Sequence, residues 1–414
     1  MQNFLTKNRW AVICAGVIIW TCTSLPMLWG VFQADAAATY GITLEESAML
    51  FPMCNMFFGI FSIVGGRLQD KFPPNIVATI GAVIMSIGVI MLSVLGRGTS
   101  ITKLYICFAL PFGAGCGLIA PTLSASLMKW YADKKGFATG TTGAIPSIIL
   151  VGLTYVSKYL LEIWGCQRTF FVYGIVILIM STLSTMILVN PTDRYIVEKS
   201  AMALRSMNKS DKPVSNLLVD FAPTEMLKTK QFWMLFFAMM VATPAYMLIA
   251  PSIVTLGISR GLSENLAVSA VAIATGVSAV GKFIIPTLSD KIGRKKSAVI
   301  FAGFTMVFSM ILMGARGIPL LIAYSAMVFT HSGLFTLMGP FVIDLFGSKN
   351  AGANMGLMSV QATLASLACS ATLAYLVPAF GPGTKHVVSV VGMGIAILLI
   401  GSLNTNTAEL KKEN

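Results

Sequence analysis

The chain reads as an all-α membrane protein of twelve transmembrane helices, and three observations carry that expectation. Only 11% of its 414 residues are charged and 56% are hydrophobic, whereas soluble domains carry about 25% charged residues. A surface so poor in charge cannot be kept in water. Apolar segments recur along nearly the whole length, and each reaches the roughly 20 residues that a bilayer-spanning helix needs. The lysines and arginines crowd into alternate short loops between those segments, which is how cytoplasmic loops are marked.

The segments cover residues 10–32, 46–66, 75–95, 102–127, 137–160, 169–189, 231–256, 264–288, 297–315, 318–343, 352–377 and 386–403. Lys7 and Arg9 ahead of the first one, and Ala34-Asp35-Ala36 behind it, resemble a cleaved leader. The apolar run is longer than the 7–15 residues of a leader's core, so it is expected to be retained as the first span. The long polar stretch 190–230 holds Pro191, Pro213 and Pro223 and reads as a linker. It divides a six-helix bundle over 1–189 from a second over 231–414. Pro223-Thr224-Glu225-Met226 is expected to begin a short interfacial helix leading into span 7.

Charge tests this map independently. With the N-terminus inside, the inner segments collect 21 Lys and Arg, the outer loops seven, and Lys282 alone falls within a span. Both termini are therefore expected to be cytoplasmic, in an inner or plasma membrane. The net charge of +13 would suggest nucleic acid in a soluble protein, but dispersed over loops it expresses topology. The seven cysteines show no metal-ligand spacing and lie mostly in apolar runs, where Cys behaves as a small hydrophobe. No metal, cofactor or disulfide framework is expected.

The two halves repeat. Gly66-Arg67-Leu68-Gln69-Asp70-Lys71-Phe72 follows span 2, and Pro286-Thr287-Leu288-Ser289-Asp290-Lys291-Ile292-Gly293-Arg294-Lys295 follows span 8, so Leu-x-Asp-Lys recurs about 220 residues on. Parallel six-helix repeats build transporters that alternate access to a midplane site.

At these residues the chain resembles the major facilitator superfamily, whose loop signature is Gly-x-Leu-x-Asp-(Arg/Lys)-x-Gly-(Arg/Lys)-(Arg/Lys). Pro73 and Pro74 replace the end of the first copy, and Pro286 replaces the glycine of the second. The loop Met128-Lys129-Trp130-Tyr131-Ala132-Asp133-Lys134-Lys135-Gly136-Phe137-Ala138-Thr139-Gly140 is similar to that of the oxalate/formate antiporter and monocarboxylate transporter branch. Phe346-Gly347-Ser348-Lys349 and Met226 to Trp233 also suit that branch. The resemblance implies secondary transport of a small organic anion. The oxalate antiporter's span 8 cation matches Lys282, but its span 11 lysine falls at or beside Ala362, next to Gln361, and a cavity tyrosine falls at Ala120. One cation suits one carboxylate, so a monocarboxylate is expected before a dicarboxylate.

Candidate substrate-binding residues are Lys282, Ser278, His331, Gln361 and Tyr246. All sixteen Asp and Glu fall in loops, termini or span ends, so no span offers Lys282 an acidic neighbour. An uncompensated charge at membrane depth costs about 2.5–3.5 kcal/mol on insertion scales, so Lys282 should face a wet cavity and an anion. Thr275, Ser278 and Lys282 share one helix stripe. The alternative is snorkelling to the cytoplasmic interface, about 12 Å away at Asp290. His331 can donate to a carboxylate, carry a proton, or bond neighbouring helices. Trp20, Trp29, Tyr155, Tyr246 and Tyr324 either line a cavity or anchor at the interface.

Candidate gating residues are Gly66, Asp70, Lys71, Asp290, Lys291 and Arg294. Each aspartate is expected to sit at a neighbouring helix N-terminus, where a carboxylate gains from the dipole, or else to be a solvated loop acid. The glycines of span 4 (113, 115, 117) and of span 5 (136, 140, 143) are expected to pack helices closely, and Pro146 to allow bending. Spans 3, 6, 9 and 12 read as lipid-facing supports. No Walker A, HExxH or GxSxG string occurs, which disfavours an enzyme or ATP drive. A monomeric secondary carrier, coupled to protons or to a counter-anion, is expected. A nutrient sensor on the same fold is the rival, although residues 190–230 and about 404–414 offer it little output surface.

Overall fold

The computed structural model describes residues 9–404 apart from 193, 200, 201 and 203–219. About half of the expected linker, and nearly all of the tail, thus lie outside the described residues. Among the described residues there is helix and no strand. Among the described residues ten helices are long and apolar enough to cross a membrane, and a bent pair, Arg9–Thr23 with Leu25–Tyr40, turns by 45° and counts as an eleventh crossing when taken as one span. One of the ten, Lys135–Thr185, runs for 51 residues, which would reach about 75 Å at 1.5 Å per residue. That is more than twice a hydrocarbon core of about 30 Å. Gly165, at φ 71° and ψ 176°, breaks it, a left-handed conformation that a side chain resists. Twelve crossings result.

We label the bent pair α1, then α2 Glu46–Lys71, α3 Pro74–Val94 and α4 Ile101–Trp130. The halves of Lys135–Thr185, before and after Gly165, are α5 and α6. There follow α7 Lys230–Ser259, α8 Glu264–Ile292, α9 Arg294–Gly314, α10 Gly317–Phe346, α11 Ala351–Phe380 and α12 Thr384–Gly401. Helices outrun the apolar segments at several ends, because charged end residues such as Asp70 and Asp290 still take helical backbone. Ala34-Asp35-Ala36 lies within Trp29–Tyr40. Pro223–Met226 forms the expected short helix, and Glu225 accepts a hydrogen bond from the Ala222 N–H at 2.8 Å.

Two compact units emerge. The first comprises Met1–Trp130, Ile148–Ile196 and Asn350–Thr363. Its centre is α4, which is buried nearly throughout from Phe112 to Trp130. A Cβ on Gly113 or Gly117 would overlap the Phe57–Phe61 stretch of α2, and one on Gly115 would overlap Met85 of α3. Residues four apart share a helix face and the one between points away, so the Gly-x-Gly-x-Gly run seats α4 against two neighbours at once. Trp29 is buried here, donating from Nε1 to the Ser47 carbonyl at 2.7 Å and stacking on Phe108 and Phe170. It packs a core.

The second unit comprises Tyr131–Ser147, Val197–Lys349 and Leu364–Asn414. A cluster of Ile249, Ile253, Ala267, Leu312, Tyr324 and Met327 joins α7, α8, α9 and α10. Apolar stripes stay exposed on the helices read as supports: Ile76, Ile80, Ile87 and Met91 on α3, and Ile300, Phe304, Val307 and Ile311 on α9. Three- and four-residue spacing puts each set on one face, as a lipid-facing helix requires.

Candidate functional site

Each Leu-x-Asp-Lys aspartate ends its helix at another helix's first turn. In the first unit Asp70, on the last turn of α2, accepts from the backbone N–H groups of Gly352 at 3.2 Å and Ala353 at 2.9 Å. These belong to the first turn of α11, whose leading N–H groups have no partner within the helix. The approach needs glycine on both sides: a Cβ on Gly352 would stand 2.8 Å from the Gly66 carbonyl oxygen and 3.0 Å from Asp70 Oδ1, and one on Gly66 would stand 2.9 Å from Ala353 Cα. In the second unit Asp290, on the last turn of α8, accepts from Gly136 at 2.9 Å and Phe137 at 3.1 Å, the first turn of α5. The two contacts repeat one another.

Their surroundings differ. Arg294 bonds Asp290, and its Nε donates to Asp344 Oδ2 at 3.0 Å, while Lys135 Nζ reaches Asp344 Oδ1 at 2.5 Å. Asp344 sits on the last turn of α10 and holds two cations that begin α5 and α9. Four residues beyond Asp70, where Arg294 would have its counterpart, stands Pro74. Lys71 and Lys291 remain exposed, outside both arrangements.

Lys282 does not reach for the interface. Its Nζ donates to Ser147 Oγ at 2.8 Å, and the Ser147 hydroxyl in turn donates a hydrogen bond to the Gly143 carbonyl at 2.9 Å. The stem lies along Gly143, where an added Cβ would meet Lys282 Cδ at 3.8 Å. Among the described residues no carboxylate is in ion-pair range of Lys282. Position 282 is set from behind by Gly281, where a Cβ would stand 3.0 Å from the Phe329 carbonyl carbon, and by Gly333, where one would stand 2.6 Å from the Gly281 oxygen. These small residues lock α8 onto α10. Pro286 lacks the N–H that would bond the Lys282 carbonyl four residues back, which loosens the helix at the lysine.

His331 is buried, and its Nε2 has no hydrogen-bond partner. Its ring lies between Tyr246, at a centroid distance of 5.6 Å, and Phe335, at 4.6 Å. The stack faces α7, so His331 and Lys282 have different neighbours although α8 and α10 touch. Ser278 lends its carbonyl to Ser332 Oγ at 3.1 Å. Gln361 is buried on α11 in the first unit, whereas Lys282, Ser278, His331 and Tyr246 belong to the second. Ser147 and Asp344 carry contacts that the sequence reading did not single out; their partners lie 135 and 209 residues away for Lys282 and Lys135 respectively. A polar residue inside an apolar span was a signal for Ser147, though spans hold many.

Repeated helix-end contacts on twelve apolar helices invite comparison with known carriers. The chain is 24% identical over 399 residues to the oxalate:formate antiporter of Oxalobacter formigenes, covering 95% of this chain and 91% of that one. It is 22% identical over 367 residues to an uncharacterised MFS-type transporter of Escherichia coli (strain K12), YhjX, covering 85% and 84%. Among solved structures, the proton:xylose symporter XylE superposes with a TM-score of 0.73 at 12% identity, covering 98% of this chain and 99% of that one. The Escherichia coli fucose:proton symporter FucP does so with a TM-score of 0.70 at 11% identity, covering 94% and 97%. The family model described as Major Facilitator Superfamily matches residues 11–368, and again 235–412. With the fold, the repeat and most of the chain's length in agreement, this protein belongs to the major facilitator superfamily.

Proposed function

We propose that this transporter moves a small organic anion, a monocarboxylate, by alternating access between six-helix halves over residues 1–189 and 231–414. The carrying observation is Lys282: an ammonium within a span whose one partner among the described residues is a neutral hydroxyl. An ammonium has three N–H donors, and Ser147 uses one. The other two can serve a carboxylate, whose charge then offsets the cost of a lone cation at membrane depth. The relative that is by name an oxalate:formate antiporter includes a monocarboxylate among its ligands, which supports this class. A single cation favours one carboxylate over two.

Asp70 and Asp290 serve as latches. Each joins a carboxylate to a helix N-terminus, a contact worth up to about 2 kcal/mol in partly buried geometry, so each can be broken and remade during a cycle. The latches, both termini and the linker face the cytoplasm of an inner or plasma membrane on this reading, and coupling is by anion exchange or proton symport. Uptake of labelled formate, acetate, lactate and oxalate into proteoliposomes, with counter-anion inside or with an imposed pH gradient, tests the proposal. Saturable uptake of a monocarboxylate is expected. No uptake of any probe, or uptake of oxalate alone, refutes the monocarboxylate reading.

A further inference from the structure

We infer that Ser147 is a positioning residue for the anion, and that through it the affinity of Lys282 depends on the Asp290 latch. The inference rests on Lys282 as the anion-binding charge. Many hydroxyls in these helices bond back to the preceding turn, among them Thr139, Thr141, Thr142 and Thr154. Ser147 does this and also accepts an ammonium. Donating its proton to Gly143 leaves the Ser147 lone pairs for Lys282, and the Gly143 face leaves room for the stem. A lysine side chain has four flexible torsions, and fixing the ammonium before the anion arrives removes part of the ordering cost of binding.

The partner hydroxyl is on another helix. Gly136, Gly140, Gly143 and Ser147 follow one another up a single face of α5, and each meets α8. A Cβ on Gly136 would overlap the Pro286 carbonyl, and one on Gly140 would stand 3.0 Å from the Lys282 and Phe283 oxygens. Phe137 lies edge-on to Phe283 at 6.0 Å. The pair of helices is pinned at one end by Asp290 on Gly136 and Phe137, and at the other by Lys282 on Ser147. These points are eight residues apart on α8, about 12 Å. Release of Asp290 frees α5 to leave α8, which carries Ser147 from the ammonium and lowers anion affinity as the gate opens. By linkage, the bound anion holds that latch shut to the same degree.

The test measures dissociation constants of formate, acetate, lactate and oxalate for the purified full chain, its Lys282→Ala variant, Ser147→Ala, Ser147→Thr, Asp290→Asn and the Ser147→Ala/Asp290→Asn double variant. Removing one hydrogen bond to a charged group should weaken binding about tenfold in Ser147→Ala, and Ser147→Thr should restore it. Asp290→Asn should also weaken binding, and in that background Ser147→Ala should cost less than about twofold, since residues acting through one contact are not additive. Wild-type affinity in Ser147→Ala overturns the positioning role. An equal Ser147 effect in both backgrounds overturns the coupling, as it would if α5 hinged at Pro146 and left Ser147 behind. Should Ser147→Ala not fold, Ser147→Cys, close in size with a weaker acceptor, must show the same loss. Retained binding in Lys282→Ala, or no binding by wild type, defeats the anion-site reading itself.

Discussion

A lysine inside a bilayer-spanning helix must find a partner. Snorkelling would place the Lys282 ammonium about two turns along α8, near the Asp290 end; instead it bonds Ser147 on α5. On the proposed reading, Lys282→Ala and Lys282→Gln abolish anion binding, followed as thermal stabilisation of purified protein by a transported carboxylate. Lys282→Arg keeps part of it, because a planar fork replaces a point charge. Stabilisation of Lys282→Gln equal to wild type over the same concentrations would refute the assignment. The hydrophobic context of Lys282 was legible in the sequence, since it is the one cation more than three residues inside an apolar segment. Ser147 was not, because a hydroxyl 135 residues away becomes a partner only once α5 and α8 are side by side.

Helix ends, rather than helix middles, carry the repeated contacts. Both latches rest on two backbone N–H groups, but only Asp290 is backed by the Arg294–Asp344–Lys135 chain. On the Asp70 side Pro74 stands where Arg294 would have its counterpart, and Asn75 where Lys295 would. Asp70→Asn is therefore expected to slow uptake by about tenfold while leaving substrate affinity nearly intact, because its contact sets state populations and, unlike that of Asp290, lies outside the helix pair that carries Lys282 and Ser147. Initial rates over a range of substrate concentrations check this, and unchanged rates at all of them would return Asp70 to a solvated-loop role. Asp344→Asn leaves Arg294 and Lys135 without their shared carboxylate. The Asp344 side chain is 36% exposed, so the expected loss is modest, about 1 kcal/mol, and shrinks at high salt. Thermal unfolding of purified protein in low and high salt measures it; a Tm equal to wild type in both would show that the charge chain holds nothing.

For the whole molecule the testable expectation is topology. From the bias of 21 inner to seven outer Lys and Arg, residues 190–230 and both termini are expected in the cytoplasm. Ser210→Cys and Ser100→Cys, each on a Cys-less background, distinguish the orientations with a membrane-impermeant thiol reagent in intact cells. Labelling at position 100 and protection at 210 are expected; the reverse would invert the map. The exposed Ile and Phe stripes on α3 and α9 fit either orientation, so the charges alone decide it.

Periodicity, segment length and charge placement were enough to specify twelve helices, because a bilayer demands roughly 20 apolar residues per crossing and leaves charge nowhere else to go. They also specified that Asp70 and Asp290 end equivalent helices, since a repeat is visible without contacts. Which helix N-terminus each aspartate meets, the burial of Trp29 in a core, the separation of Gln361 from Lys282 into different units, and the Ser147 partnership came only with tertiary structure. Each depends on which helix faces are neighbours. Lipid exerts no demand on that choice: apolar side chains suit tails and other helices alike. It is settled by where small residues let backbones touch, as at Gly66 with Gly352 and Gly281 with Gly333, and such matches join positions far apart in the chain.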